Sequence, residues 1–157
     1  MIPRSPVTTA LQTLLTTLTG KPVGVRTVPI NPATGKPYPP PYTLLYPLDH
    51  TSDDGTIADR HRAAVSDYQA TFVSGPREGQ ADSRGTDEQA QWLADRARKV
   101  IERPTDGSPG YAHPLTIPGV NCWRREAREA GGTSDAGDAI ITSVIRFRLF
   151  LEEQPTG

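Results

Sequence analysis

Cysteine is almost missing from this chain: Cys122 is alone among 157 residues. That excludes an internal disulfide and fits a reducing compartment at synthesis. Long apolar runs are missing too, and without a stretch of about 18 such residues no membrane-spanning helix is expected. The opening MIPRSPVTTALQTLL lacks a continuous apolar segment and a cleavage site, so no signal peptide is expected. Neither sign of charge prevails, since 17 basic and 18 acidic residues leave a formal charge of -1. The basic excess of a free nucleic-acid binder is therefore absent.

Proline and glycine, by contrast, are plentiful at 16 and 14 residues, while hydrophobic residues make up only 35%. This composition describes one compact core carrying long loops, a single domain over 1–157. The longest proline-rich stretches, NPATGKPYPPP and PTDGSPGYAHPLTIP, place these loops at about 30–41 and 104–118.

Between the loops the hydropathy is periodic. Val7, Ala10, Leu11, Leu14, Leu15 and Leu18 recur at helical spacing. With Ser5 as a cap, Pro6 at the first helical position and Gly20 as the stop, they predict a helix over about 6–19. Its threonines weaken helix propensity, so burial of the leucines must compensate. VGVRTVPI predicts a strand at about 23–29, and YTLLYPLD a second, with Pro47 marking an edge or a bulge. HTSDDGTIADRHR reads as a polar loop. AAVSDYQATFVSG alternates Tyr68, Ala70 and Phe72 against Asp67, Gln69 and Thr71, a half-exposed third strand. GTDEQAQWLADRARKVIE is the clearest helix. Thr86 and Gln89 form a capping box, and Ala90, Leu93, Ala94, Ala97, Val100 and Ile101 form one apolar stripe that leaves Trp92 outside it. Two closing strands follow at about 120–127 and 138–152, with GGTSDAGD as the turn between them. The expected fold is α+β in the order α-β-β-β-α-β-β: a mainly antiparallel sheet of about five strands, with two helices packed on one face.

The helix VTTALQTLLTTL, the passage YQATFVSGPREG…GTDEQAQWLADRARKVI and the closing pair GVNCWRREAREAGG…DAIITSVIRFRLFLEE carry a resemblance. Taken together they resemble the tail terminator proteins of long-tailed phages and the related tail completion and head-tail joining proteins. In that family a strand leads into a helix of the A..LADR.R..L kind, and the chain closes on a strand like..RF.L.L. The resemblance spans most of the chain, although the two proline-rich loops look enlarged against the family. It implies a homo-oligomeric ring of six subunits in the virion, at the junction of tail and head, made in the host cytoplasm. One surface of the ring would bind the tail tube protein and the other the head-closure or connector protein. DNA would cross the lumen without sequence-specific binding, and there would be no cofactor, metal or reaction.

Subunit contacts are expected at Trp92, Trp123, Arg124, Arg125, Arg146, Arg148, Glu152 and Glu153, because Trp and Arg concentrate binding energy. In a ring, Glu152 and Glu153 of a neighbouring copy would be carboxylate partners for Arg146 and Arg148. Lys36, Tyr38, Tyr42, Tyr111 and His113 are expected to contact other proteins through the two loops rather than to cover the core. Competing chemistry is thinly written. Asp49, His50, Asp53 and Asp54 could form a metal or acid-base cluster, but their spacing fits no calcium loop. His50, His61, His113 and Cys122 lack paired zinc-ligand spacing. No nucleophile elbow or phosphate loop occurs. A head-closure protein, a small metal-dependent hydrolase and a module presenting PYPPPY as a polyproline II ligand are the alternatives. Deleting 33–39 should leave the unfolding transition in place and impair assembly, measured by denaturation and by native mass; loss of folding would return this loop to the core.

Overall fold

A computed structural model describes residues 1–56, 58, 62–76, 85–133 and 140–154. The elements are α1 (Arg4–Thr19), β1 (Val23–Val25), β2 (Tyr42–Asp53), β3 (Ala63–Ser74), α2 (Asp87–Ala97), β4 (Val120–Thr133) and β5 (Ile141–Glu153), with a 3-10 turn at Arg98–Ile101 after α2. One five-stranded sheet has the spatial order β1-β2-β3-β5-β4. Only the β1–β2 pair is parallel. The fold is α+β with the expected order of elements, and both helices lie against the same sheet face.

Alternation fixes that face. Tyr68, Ala70 and Phe72 of β3 and Ile145, Phe147, Leu149 and Leu151 of β5 are buried. They meet Val7, Leu11, Leu14, Leu15 and Leu18 of α1 and Leu93, Ala94 and Ala97 of α2 in a single core. Nearly every threonine of α1 back-bonds to the carbonyl four residues earlier, as Thr13 Oγ1 does to Thr9 O (2.9 Å) and Thr19 Oγ1 to Leu15 O (2.8 Å). Their hydroxyls thus find partners inside the helix, and the leucine stripe supplies the burial.

Where β3 meets α2 the chain is stitched closely. The Thr86 side chain accepts from Gln89 N (3.1 Å), as a capping box requires. The reciprocal arm does not close directly. Thr86 N donates to Ser74 Oγ (2.9 Å), and that hydroxyl donates to Gln89 Oε1 (2.7 Å). A buried serine at the end of β3 thereby completes the cap of α2. The joint is tight enough that a Cβ on Gly85 would lie 2.4 Å from Ser74 O, so only glycine fits.

Several expected boundaries are corrected. α1 starts at Arg4, and its cap residue is Pro3, with no side-chain cap bond from Ser5 or any other residue. Burial of Ile2 and a bond from Arg4 Nη2 to Leu48 O pin the chain earlier than Ser5. Pro6 is tolerated because the first-turn N–H groups have no helical acceptor. β1 is only three residues long, not 23–29, because Arg26 turns out of the strand at φ 64°. Its backbone N–H donates to Leu45 O (3.0 Å) and its guanidinium to Pro47 O (3.3 Å), which holds the strained turn. β2 runs on to Asp53 through what reads as loop, with a register shift between Pro47 and His50 where the proline signals a bulge. β4 continues to Thr133 through a second irregularity between Glu129 and Gly132. Gly132, at φ 150°, passes so close to β5 that a Cβ would lie 2.2 Å from Thr142 O. Its glycines therefore extend the strand where they had suggested a turn.

Leu93 is fully buried beneath α2. Leu93→Ala should cost about 2–5 kcal/mol in urea unfolding; a loss within the scatter of surface substitutions, about 0.5 kcal/mol, would refute the packing of this helix face.

Candidate functional site

Among the described residues no helix covers the sheet face away from α1 and α2, and cross-strand register arranges this open face in rows. Tyr46, Gln69, Arg146 and Arg128 form one row across β2, β3, β5 and β4. The next holds Asp67, Arg148 and Glu126. A third places Val65 beside Phe150 and Arg124, and a fourth, on the other side of the arginine row, carries Leu44, Thr71 and Val144. A shallow groove of about 360 Å3 runs over the middle, lined by Leu48, Asp49, Asp67, Glu126, Arg128, Arg146 and Arg148.

The two central rows differ in charge balance. Arg148 makes a two-pronged pair with Asp67, Nε to Oδ1 at 2.8 Å and Nη2 to Oδ2 at 3.2 Å. That hydrogen bonding, then the attraction of the same carboxylate, holds the guanidinium above its ordinary pKa. Glu126 pairs with Arg124 at 2.9 Å. Arg128 and Arg146 stand directly opposite one another on β4 and β5. Among the described residues neither makes a side-chain hydrogen bond or ion pair. Two like charges opposed across a strand pair disfavour the pairing, so this point of the face is electrostatically unfinished.

Trp123 also joins this face, by way of a bulge. Cys122 pairs with Leu151 and Arg124 with Phe150, so Trp123 is the extra residue between them. Its ring lies 5.4 Å from Phe150, and Arg124 lies over the same phenyl at 5.5 Å. Trp123 stays half exposed (52%).

The other expected contact residues scatter. Trp92 projects from α2, on the helix side, under the Arg96 guanidinium at 5.1 Å. Glu153 is engaged by Arg62 (3.5 Å) and Glu152 accepts from Asn121 Nδ2 (3.0 Å), so both have partners within their own chain, as Arg148 does. Lys36 is exposed at the tip of the first loop. Tyr38 is half-buried, its N–H bonded to Pro29 O (2.9 Å). Tyr42 opens β2, where burial and then the neighbouring Tyr46 push its phenol up.

Arg125 corrects the expectation of an exposed arginine cluster. It points into the molecule opposite Leu149 and is 8% exposed. Its Nη1 donates to Val100 O (2.9 Å) and to His113 O (2.8 Å). Tyr111 Oη accepts the Arg125 backbone N–H (2.7 Å), and the Arg125 guanidinium rests 4.4 Å from that ring, with Arg103 at 4.2 Å. Burial pushes the guanidinium pKa down. Carbonyls and a π face offset its desolvation without a carboxylate. The loop at 104–118 is thus fastened down: Ile117 is buried in the core and Leu115 packs against it. It covers the core, contrary to expectation, with His113 turned outward onto Glu102 (2.8 Å).

Of the candidate metal and acid-base groups, Asp49 stands in the open-face groove, while His50, Asp53 and Asp54 have structural tasks. His50 bonds Ser66 Oγ through Nδ1, and through Nε2 it bonds Ile2 O (2.9 Å). Asp54 holds the Met1 ammonium (2.9 Å), and Asp53 accepts from Gly55 N (2.9 Å) within a turn. His61 lies outside the described residues. Among the described residues no group of three or more His, Cys, Asp or Glu side chains is arranged to hold a metal. Cys122 is half-buried, and burial pushes its thiol up, away from the thiolate a nucleophile needs.

Sequence reasoning placed Asp67 on the exposed side of β3, as found, but did not name Arg128, Asp67, Asp49 or Glu126 among the contact residues. The alternation of β3 and of WRREAR carried a signal for them, but which of these residues stand together depends on strand neighbours far apart in the chain.

Replacing Arg125 with Met should cost about 1–3 kcal/mol by leaving Val100 O and His113 O unsatisfied. It should also speed amide exchange over 102–118 beyond that of the rest of the chain. Uniform exchange would remove Arg125 as the anchor of this loop. Compared with models of known protein families and with curated proteins, the chain matches none.

Proposed function

We propose that this chain is a structural ring subunit of a phage tail-to-head junction, a tail terminator, with no catalytic task. The observation that carries the reading is the two-sidedness of the sheet. One face is sealed by α1 and α2, while the other is uncovered and bears Arg146, Arg148, Arg128, Trp123 and Phe150. A monomer gains little from a row of opposed arginines, whereas a subunit that meets a neighbour there does. The residues that resemble the family fall on the elements that build this layer: α1, β3 with α2, and the β4–β5 pair.

The mechanism is geometric. Neighbouring copies meet through unlike surfaces, and such a heterologous contact makes a closed ring when the rotation closes. A ring that meets the last tube ring on one side, and presents a different surface on the other, halts polymerisation and offers a seat to the head connector. DNA crosses the lumen held by no specific contact. His50 and His113 fit this reading, since both are engaged in bonds that hold β2 and the 102–118 loop.

The test mixes purified protein with growing tubes of the tail tube protein and measures tube length by negative-stain microscopy, with the native mass recorded in parallel. The expected result is a discrete ring mass and tubes that stop growing with a ring at one end. Tubes that lengthen unchanged would overturn the terminator reading. If the ring bound capsid portals alone, the chain would be a head-closure protein.

A further inference from the structure

Lys21, Lys36 and Lys99 make no side-chain hydrogen bond or ion pair among the described residues, but most of the described arginines and carboxylates are engaged. Arg4, Arg26, Arg62, Arg96, Arg98, Arg103, Arg124, Arg125 and Arg148 each have a carbonyl or carboxylate partner. Arg128 and Arg146 do not, and they are the two that face each other. Of the described carboxylates, only Asp49 and Glu88 make no hydrogen bond or ion pair. Asp49 belongs to the groove on the open face itself. Glu88 is on the opposite side of the molecule, in the exposed first turn of α2. One turn further along the same helix edge is Trp92, 44% exposed.

We propose that the open sheet face of one copy receives α2 of the next. Glu88 enters between Arg128 and Arg146, and Trp92 covers the row Leu44–Thr71–Val144. This rests on the ring reading and names the surfaces that would build it. The spacing agrees. Residues four apart on a helix are separated by about 6 Å along its axis, and successive rows on one sheet face by about 6.8 Å. The arginine row and the Leu44–Thr71–Val144 row are such neighbours. A carboxylate set between two guanidinia removes the repulsion of that pair, and desolvation by the indole and the aliphatic row strengthens it. Because α2 and the open face lie on opposite sides of one chain, each copy uses both surfaces, and the contact is heterologous. A nucleic-acid backbone suits the face less well: Asp49, Asp67 and Glu126 line the same groove and would repel successive phosphates.

The experiment reverses charges at exposed positions and reads native mass against concentration, with circular dichroism to verify folding. E88R alone, and R128E/R146E together, should each weaken self-association at least about tenfold. The combined variant E88R/R128E/R146E inverts both partners and should regain the wild-type assembly. If the single-sided variants assemble normally, or if the combined variant fails to recover, this docking is overturned while the ring reading stands. If R128E/R146E leaves the ring intact but abolishes its salt-sensitive retention of duplex DNA, the arginines serve phosphates and the docking is likewise overturned. A wild-type chain that stays monomeric at every concentration tested overturns both.

Discussion

Alternation along β3 and β5, the two central strands, is the constraint from which the rest follows. Their inward residues, from Tyr68 and Phe72 to Phe147, Leu149 and Leu151, need a cover, and the leucine stripe of α1 with the alanine-rich stripe of α2 provides it. Because a strand has a period of two, burying one set fixes the other set on the reverse face. Asp67, Gln69, Arg146 and Arg148 are therefore displayed together by the same burial that folds the chain. Core and candidate interface are two consequences of one pattern.

Polar groups divide along the same line. On the helix side they are absorbed into local joints: the Ser74 hydroxyl completes the cap of α2, His50 holds the N-terminal segment, and Arg125 ties the 102–118 loop to the end of the helical layer. On the open side only part of the charge is balanced internally. Arg148 has Asp67, and Arg124 has Glu126, but Arg128 and Arg146 face each other. Internal pairing is worth little at such exposed positions, so an unpaired guanidinium there costs the monomer little, and covering it would need a carboxylate to offset its desolvation.

Edges matter as much as faces. β1 covers only Thr43, Leu44 and Leu45 of β2, and beyond the Arg26 turn the Arg26 and Arg4 guanidinia bond the carbonyls of Pro47 and Leu48 on that side. β4 is long, but Tyr111 bonds its outward-pointing Arg125 N–H, and two irregularities interrupt its line.

By itself the sequence determined what near neighbours encode. The stripe of α2, the capping pair Thr86 and Gln89, the alternation of β3 and β5, the bulge signal of Pro47 and the order of elements are all local patterns, and local sterics and burial enforce them. Tertiary structure decided what depends on a distant partner. The bulge at Trp123 shifts the parity of β4, sending Arg125 inward and Arg128 outward, and nothing within WRREAR reveals that shift. Arg26 adopts a left-handed turn because carbonyls of β2 hold it there. The glycines at 131 and 132 continue a strand because β5 approaches closely, and the carbonyls that Arg125 bonds come from a helix end and a loop. The opposition of Arg128 and Arg146 arises only from the register of β4 on β5, which two interruptions set and which no local period can foretell.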